Sequence, residues 1–171
     1  QQLADLARRL KKGLGKIIVL RGEERWFVEE ALKLILERAE KDDLEISRHD
    51  TSDPEFAAPR LLDDLLASPL FAVDRLVVAR NVEDLLKKQG KEPSALTRAV
   101  SAAVADDTRG GCVVITCRKL RADHAICKLA IGVEAPVLEL RKLWDSPPPW
   151  KAGDPTEAET VQWLLARARQ R

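Results

Sequence analysis

The chain has 171 residues, 29 Lys+Arg against 28 Asp+Glu for a net charge of +1, and a hydrophobic fraction of 45%. This balance suits a folded domain with a real core and excludes a disordered, collagen-like or membrane-spanning chain. Near-neutral charge also argues against a protein whose affinity comes chiefly from gripping phosphates, and leaves room only for a local basic face.

In chain order, Gln1 to Gly13 is polar and helical, with no apolar run of signal-peptide length behind its basic residues. The sequence contains no Met at all, the initiator included, which reads as an excised or processed piece. Short apolar runs with β character follow at Lys16–Leu20, Leu44–His49, Arg75–Ala79, Cys112–Cys117 and Pro136–Leu140. Three of them are nearly unbroken apolar, as strands covered on both faces are. Between them lie helical patterns. Phe27, Val28, Ala31, Leu32, Ile35 and Ala39 share one face from Glu24 to Glu40, with Glu23 and Glu24 at the positive end of the helix dipole. Leu61, Leu62, Leu65 and Leu66 supply the core face of a second helix. Further helices are expected over Val82–Gln89 behind Asn81 as a cap, around Leu96, Val100, Ala103 and Val104 after Pro93, and over Ala122–Ala130.

Strands alternating with helices predict an α/β fold of three layers, a parallel sheet with crossover helices on both faces. The pattern stops at Leu143. A Pro-rich linker spans 144–155, and residues 156–171 form a truncated helix with Thr156 and Glu159 as a capping box and Val161, Leu164, Leu165 and Ala168 on one face. Cys112, Cys117 and Cys127 are odd in number and two sit in one apolar run, which points to free thiols in a reducing compartment, the cytoplasm.

A parallel sheet offers ligands the carboxyl ends of its strands, so the loop after the first strand is the place to look for phosphate chemistry. It reads Arg21-Gly22-Glu23-Glu24-Arg25-Trp26. A phosphate loop needs glycines that let backbone N–H groups wrap the phosphates, then Lys and Ser/Thr; here one Gly precedes two carboxylates. The GLGK at Gly13–Lys16 lies before the strand and reads as a turn. The third strand ends Ala79-Arg80-Asn81, without carboxylates for a metal. Neither ATP binding nor hydrolysis is expected, and no cofactor or metal.

Other chemistry is weaker. His124 and Cys127 are helical neighbours by spacing alone, better explained as a buried Cys beside an exposed His. Cys112 and Cys117 lack a paired C-x-x-C for zinc. Asp63 with Asp64, and Asp106 with Asp107, read as solvated helix faces and ends. Arg118, Lys119, Arg121 and Lys128 could contact DNA, although four such residues are more often a solvated face. An ATPase with an unconventional phosphate loop is the remaining alternative.

The segment Leu66-Ala67-Ser68-Pro69-Leu70-Phe71 places two large apolar residues in a short connector, where exposure is the default. Such a pair is either a plug under the sheet or a protein-binding anchor. The order of elements, the Gly-Glu-Glu loop followed by Phe27-Val28-Glu29-Glu30-Ala31-Leu32, the Ser-Pro-Leu-Phe connector and the run Arg75 to Asn81 resemble the delta subunit of the bacterial DNA polymerase III clamp loader. The resemblance covers about Lys16 through Arg169. It implies a degenerate AAA+ (RecA-like, P-loop-like) module over residues 1–143 without a working nucleotide site, followed by the first helix of a helical lid domain. It also implies a hydrophobic wedge for the sliding clamp (beta subunit) at Leu70 and Phe71, with Ser68 and Pro69 as its lead-in. The general clamp-binding pattern often starts with Gln, and Ala67 stands at the nearest position. Implied partners in the full-length protein are the ATP-binding gamma/tau subunits and delta prime, with DNA reached through the complex and no membrane.

Overall fold

The computed structural model describes residues 2–67, 74–88, 90–147, 149–151 and 153–169. The chain divides into two compact units, Gln1–Leu140 and Arg141–Arg171. The first unit is built on a five-stranded, all-parallel sheet of β1 (Ile17–Arg21), β2 (Glu45–Asp50), β3 (Arg75–Arg80), β4 (Gly111–Cys117) and β5 (Val137–Glu139), in the order β2-β3-β4-β1-β5. Each of the apolar runs read from the sequence is a strand, shifted by a residue or two.

The central strands β1, β3 and β4 are β-branched and buried on both faces, so two cores form. On one face α1 (Gln2–Leu10) and α2 (Arg25–Lys41) pack Leu6, Leu10, Ala31, Leu32, Ile35 and Ala39 against Ile18, Leu20, Leu76, Val78 and Val114. On the other, α3 (Ala58–Leu66), α4 (Ala95–Ala105) and α5 (Ala125–Gly132) pack Leu61, Leu65, Leu96, Val100, Ile126 and Cys127 against Ile17, Val19, Val77, Val113 and Ile115. The three-layer α/β expectation holds. Cys112, Cys117 and Cys127 are free and buried, and burial pushes the Cys112 and Cys117 thiols up to about 12.

Local chemistry sets the helix starts. Ser94 Oγ accepts from Thr97 N at 3.2 Å to begin α4. His124 begins α5, its Nδ1 accepting from Ile126 N at 3.2 Å while Nε2 donates to Leu86 O at 3.2 Å. It is therefore half-buried and bonded through both ring nitrogens rather than exposed, and α5 starts after it rather than at Ala122.

Three further expectations are corrected. The segment from Val82 is a single turn, closed by Leu86 N–H to Val82 O at 3.1 Å, and not a helix; Gln89 lies outside the described residues. Asn81 does not cap it. Its backbone is left-handed (φ 55°), its N–H donates to Thr116 Oγ1 at 3.1 Å and its Nδ2 to Asp50 Oδ1 at 2.8 Å, while Val82 and Leu86 are drawn into the core. Leu66 is not a core residue: Leu61 and Leu65 are buried, and Leu66 at the end of α3 is 58% exposed.

The second unit holds short 3₁₀ turns at Pro149–Lys151 and Pro155–Glu157 and the helix α6 (Glu159–Ala168). The expected capping box is absent. Asp154 caps the turn by accepting from Thr156 N at 2.9 Å, and α6 starts behind Ala158 with no side-chain cap. Glu159 turns instead to Arg141, accepting two bonds at 2.8 and 2.6 Å, and to Trp144 N at 3.0 Å. These bonds hold its carboxyl down at about 2. Among the described residues no helix is long and apolar enough to cross a membrane.

Candidate functional site

The loop after β1 lies at the carboxyl end of the sheet, where α/β folds bind ligands. Gly22 has φ +140° because no side chain fits there: a Cβ would stand 2.1 Å from Leu140 O. The loop is closed by backbone bonds from Gly22 N to Cys117 O at 2.9 Å, Leu140 N to Arg21 O at 2.6 Å and Glu24 N to Leu140 O at 3.1 Å. Arg21 is spent on Glu139 Oε2 at 2.7 Å and Leu120 O at 3.1 Å. Glu24 is the N-cap of α2, its Oε1 3.4 Å from Trp26 N, and Glu23 faces Lys119 at 3.5 Å. A carboxylate thus stands at the helix N-terminus, the position that phosphates take in phosphate-binding loops. At the end of β3, Arg80 pairs with Glu29 and lies 3.6 Å from Asp50.

Arg118, Lys119, Arg121 and Lys128 come together. They flank the β4–α5 loop and the start of α5, and line one cleft of about 940 Å³ with Lys87, Lys88 and Lys91 from the β3–α4 connection. Three acids, Glu83, Asp84 and Asp123, oppose these seven cations. Lys87 pairs with Asp84 at 2.5 Å, Arg121 with Asp123 at 2.9 Å and Lys119 with Glu23. Arg118, Lys128, Lys88 and Lys91 make no ion pair within 4 Å among the described residues. The four side chains are exposed, and the cleft they share touches the α4 N-terminus at Ser94 and Thr97.

The expected anchor residues Ser68, Pro69, Leu70 and Phe71 lie outside the described residues. The stems on either side are described. The incoming stem ends at the exposed Leu66 and Ala67. Sequence reasoning missed Asp64, which is no solvated residue. Its Oδ2 lies 2.7 Å from His49 Nε2 and accepts from Ser47 Oγ, and its Oδ1 accepts from Arg75 at 2.8 Å. Burial alone would raise the Asp64 carboxyl; the bonds from Ser47 and His49 and the charge of Arg75 outweigh it and hold it below its ordinary value. Ser47, His49 and Asp64 do not form a hydrolytic relay. Such a relay places Ser and Asp on opposite ring nitrogens, whereas here Ser47 and Asp64 both face Nε2. The only legible signal was the alternation that puts Ser47 and His49 on one face of β2.

His124 and Cys127 do not act as a pair, since both ring nitrogens are engaged and burial raises the Cys127 thiol. Among the described residues no group of three His, Cys, Asp or Glu side chains is placed to hold a metal.

The model of the family described as DNA polymerase III, delta subunit, matches residues 19–131. No curated protein matches in a sequence search. Among solved structures, the Bacillus subtilis DNA clamp loader delta protein aligns with a TM-score of 0.60 at 21% identity, covering 84% of this chain and 43% of its own. A DNA polymerase III gamma subunit-related protein from Thermotoga maritima aligns with a TM-score of 0.49 at 18% identity, covering 98% of this chain and 58% of its own. The chain therefore spans about half the length of these relatives. The Bacillus likeness agrees with the α/β, AAA+-like architecture expected from the sequence. With that family's model matched over more than half of its residues, the chain belongs to the DNA polymerase III delta subunit family.

Proposed function

We propose that the chain is the clamp-engaging region of a bacterial clamp-loader delta subunit, which binds the sliding clamp through Ser68, Pro69, Leu70 and Phe71 and helps open the ring in DNA replication without hydrolysing ATP itself. The observation that carries this reading is α3. Its buried residues Leu61 and Leu65 root it in the core, yet its last residue, Leu66, is 58% exposed, so apolar surface is displayed up to the point where the proposed wedge begins. Family membership supports the same assignment. In this reading residues 1–143 are the clamp-binding module, 144–155 a linker and 156–171 the start of a helical lid. The gamma/tau and delta prime subunits are partners of the full-length protein, and the compartment is the cytoplasm.

Burying Leu and Phe side chains contributes about 1.5–3 kcal/mol each. Clamp binding measured by surface plasmon resonance should therefore weaken about 100-fold or more in the Leu70→Ala, Phe71→Ala double variant. Unchanged affinity sinks the wedge assignment.

The basic cleft favours a second activity of the same protein, direct contact with DNA phosphates through Arg118, Lys119, Arg121 and Lys128. The gathering of these four residues with Lys87, Lys88 and Lys91 on one surface is the observation behind it. An ATPase with an unconventional loop is disfavoured, because the Glu24 carboxylate stands where it would repel the phosphates.

A further inference from the structure

The loop joining α4 to β4, Asp106 to Gly110, and Gly111 at the start of β4 touch both stems of the connector that leaves α3 and enters β3. On the incoming stem, Arg109 donates from Nη2 to Asp64 O at 2.9 Å and from Nη1 to Leu65 O. These carbonyls belong to the last turn of α3, whose C=O groups have no partner within the helix, and a guanidinium there also meets the negative end of the dipole. On the outgoing stem the approach is close, against the Asp74 side chain at Gly110 and against the Arg75 backbone at Gly111. A Cβ at Gly110 would stand 1.7 Å from Asp74 Oδ1, and one at Gly111, where φ is +97°, 2.0 Å from Arg75 O.

The loop is itself held in place. Lys16 Nζ donates to Asp106 O at 2.6 Å and to Arg109 O at 3.3 Å. Asp106 Oδ1 accepts from Thr108 N at 2.9 Å and Thr108 Oγ1 at 2.6 Å. Arg75 completes the frame from β3, reaching Asp64 at 2.8 Å and Glu45 at 2.9 Å. Burial, and then the charge of Arg75, pull Arg109 below its ordinary pKa. A cation is thus kept at a place that disfavours it, where its planar fork spans two successive carbonyls as an ammonium cannot.

We propose that Arg109 is the positioning residue of the connector: from a loop packed against Asp74 and Arg75, it holds the Asp64 and Leu65 carbonyls and so sets the direction in which the chain leaves α3 at Leu66. The functional meaning of this role rests on reading Leu70 and Phe71 as the clamp wedge; the geometry does not.

The test compares the parent chain with Arg109→Met and Arg109→Lys by amide hydrogen exchange and by clamp binding, with the Leu70→Ala, Phe71→Ala variant as a control. In Arg109→Met the amides of Leu65, Leu66 and Ala67 should exchange at least about tenfold faster, while those of Val113, Val114 and Ile115 in β4 hold their rates. Clamp affinity should fall at least about fivefold, with Arg109→Lys intermediate in both readouts. No change at Leu65–Ala67, or an increase spread evenly into β4, overturns the proposal. So does clamp affinity unchanged in Arg109→Met while the control loses it. If the control binds like the parent, the wedge reading fails and the exchange result alone decides for or against Arg109.

Discussion

Glu24 Oε1 lies 3.4 Å from the amide nitrogen of Trp26, so α2 begins with its own carboxylate at the positive end of its dipole. Glu23 beside it faces Lys119 at 3.5 Å. Two negative charges and one engaged N–H occupy the place from which a phosphate would be gripped.

Titration with ATP and Mg²⁺ should accordingly leave the melting temperature unmoved, within about 1 °C, at millimolar nucleotide. A ligand at 100 times its Kd adds about 2.7 kcal/mol, several degrees for a chain of this size. A shift of that size would overturn the expectation.

The basic cleft makes a separate prediction. Reversing Arg118 and Lys128 to Glu should weaken binding to primed DNA and flatten the dependence of log affinity on log salt by about 1 for each phosphate contact removed. Thermal stability should hardly change, because both side chains are exposed. An unaltered salt slope would show that the cleft does not touch the backbone of DNA.

Asp64 predicts a pH dependence. Its carboxyl titrates below the ordinary value of 3.8 when folded. The associated stability is therefore present above that value and lost as pH falls through the lower, folded one. Asp64→Asn should cost about 1–3 kcal/mol at pH 7 by breaking the bonds from Ser47, His49 and Arg75. The melting-temperature gap between parent and variant should narrow as pH drops below about 4. A gap that stays constant from pH 7 to pH 3 would contradict the assignment.

Gly22→Ala should be severe for a surface loop. With φ at +140° and the new Cβ 2.1 Å from Leu140 O, either the loop or the end of β5 must move. A loss of about 3 kcal/mol or more is expected, lowering the melting temperature by at least about 6 °C. Circular dichroism melts check it, and a shift within about 2 °C would mean the loop relaxes freely.

The β-branched runs were legible as strands because their burial on both faces writes itself into composition, and the helix faces of α2 and α4 were legible from spacing. What escaped depended on neighbours far away in sequence. Val82 to Leu86 carries a helical pattern, but Asn81 is bound to Thr116 and Asp50 across the sheet in a backbone shape that cannot start a helix. Leu66 has the spacing of a core residue and faces solvent because α3 presents Leu61 and Leu65 instead. Asp64 looked solvated because Ser47 and His49, its partners on β2, and Arg75, on β3, are distant in the chain. The four cations of the cleft were named from the sequence; that Lys87, Lys88 and Lys91 join them follows only from the β3–α4 connection lying beside the β4–α5 loop.

The closure of the β1 loop against the ends of β4 and β5 limits what can be grafted onto it. Gly22 N–H is given to Cys117 O, Glu24 N–H to Leu140 O, and Leu140 N–H to Arg21 O. The Gly22 and Glu24 amides, which a phosphate loop would keep free, are spent on the main chain, where no exchange of side chains releases them. Grafting Gly, Lys and Thr onto residues 22–25 would supply the letters of a nucleotide-binding motif without its donors. To free the Glu24 amide the chain after β5 would have to be rerouted, a change that no point substitution makes.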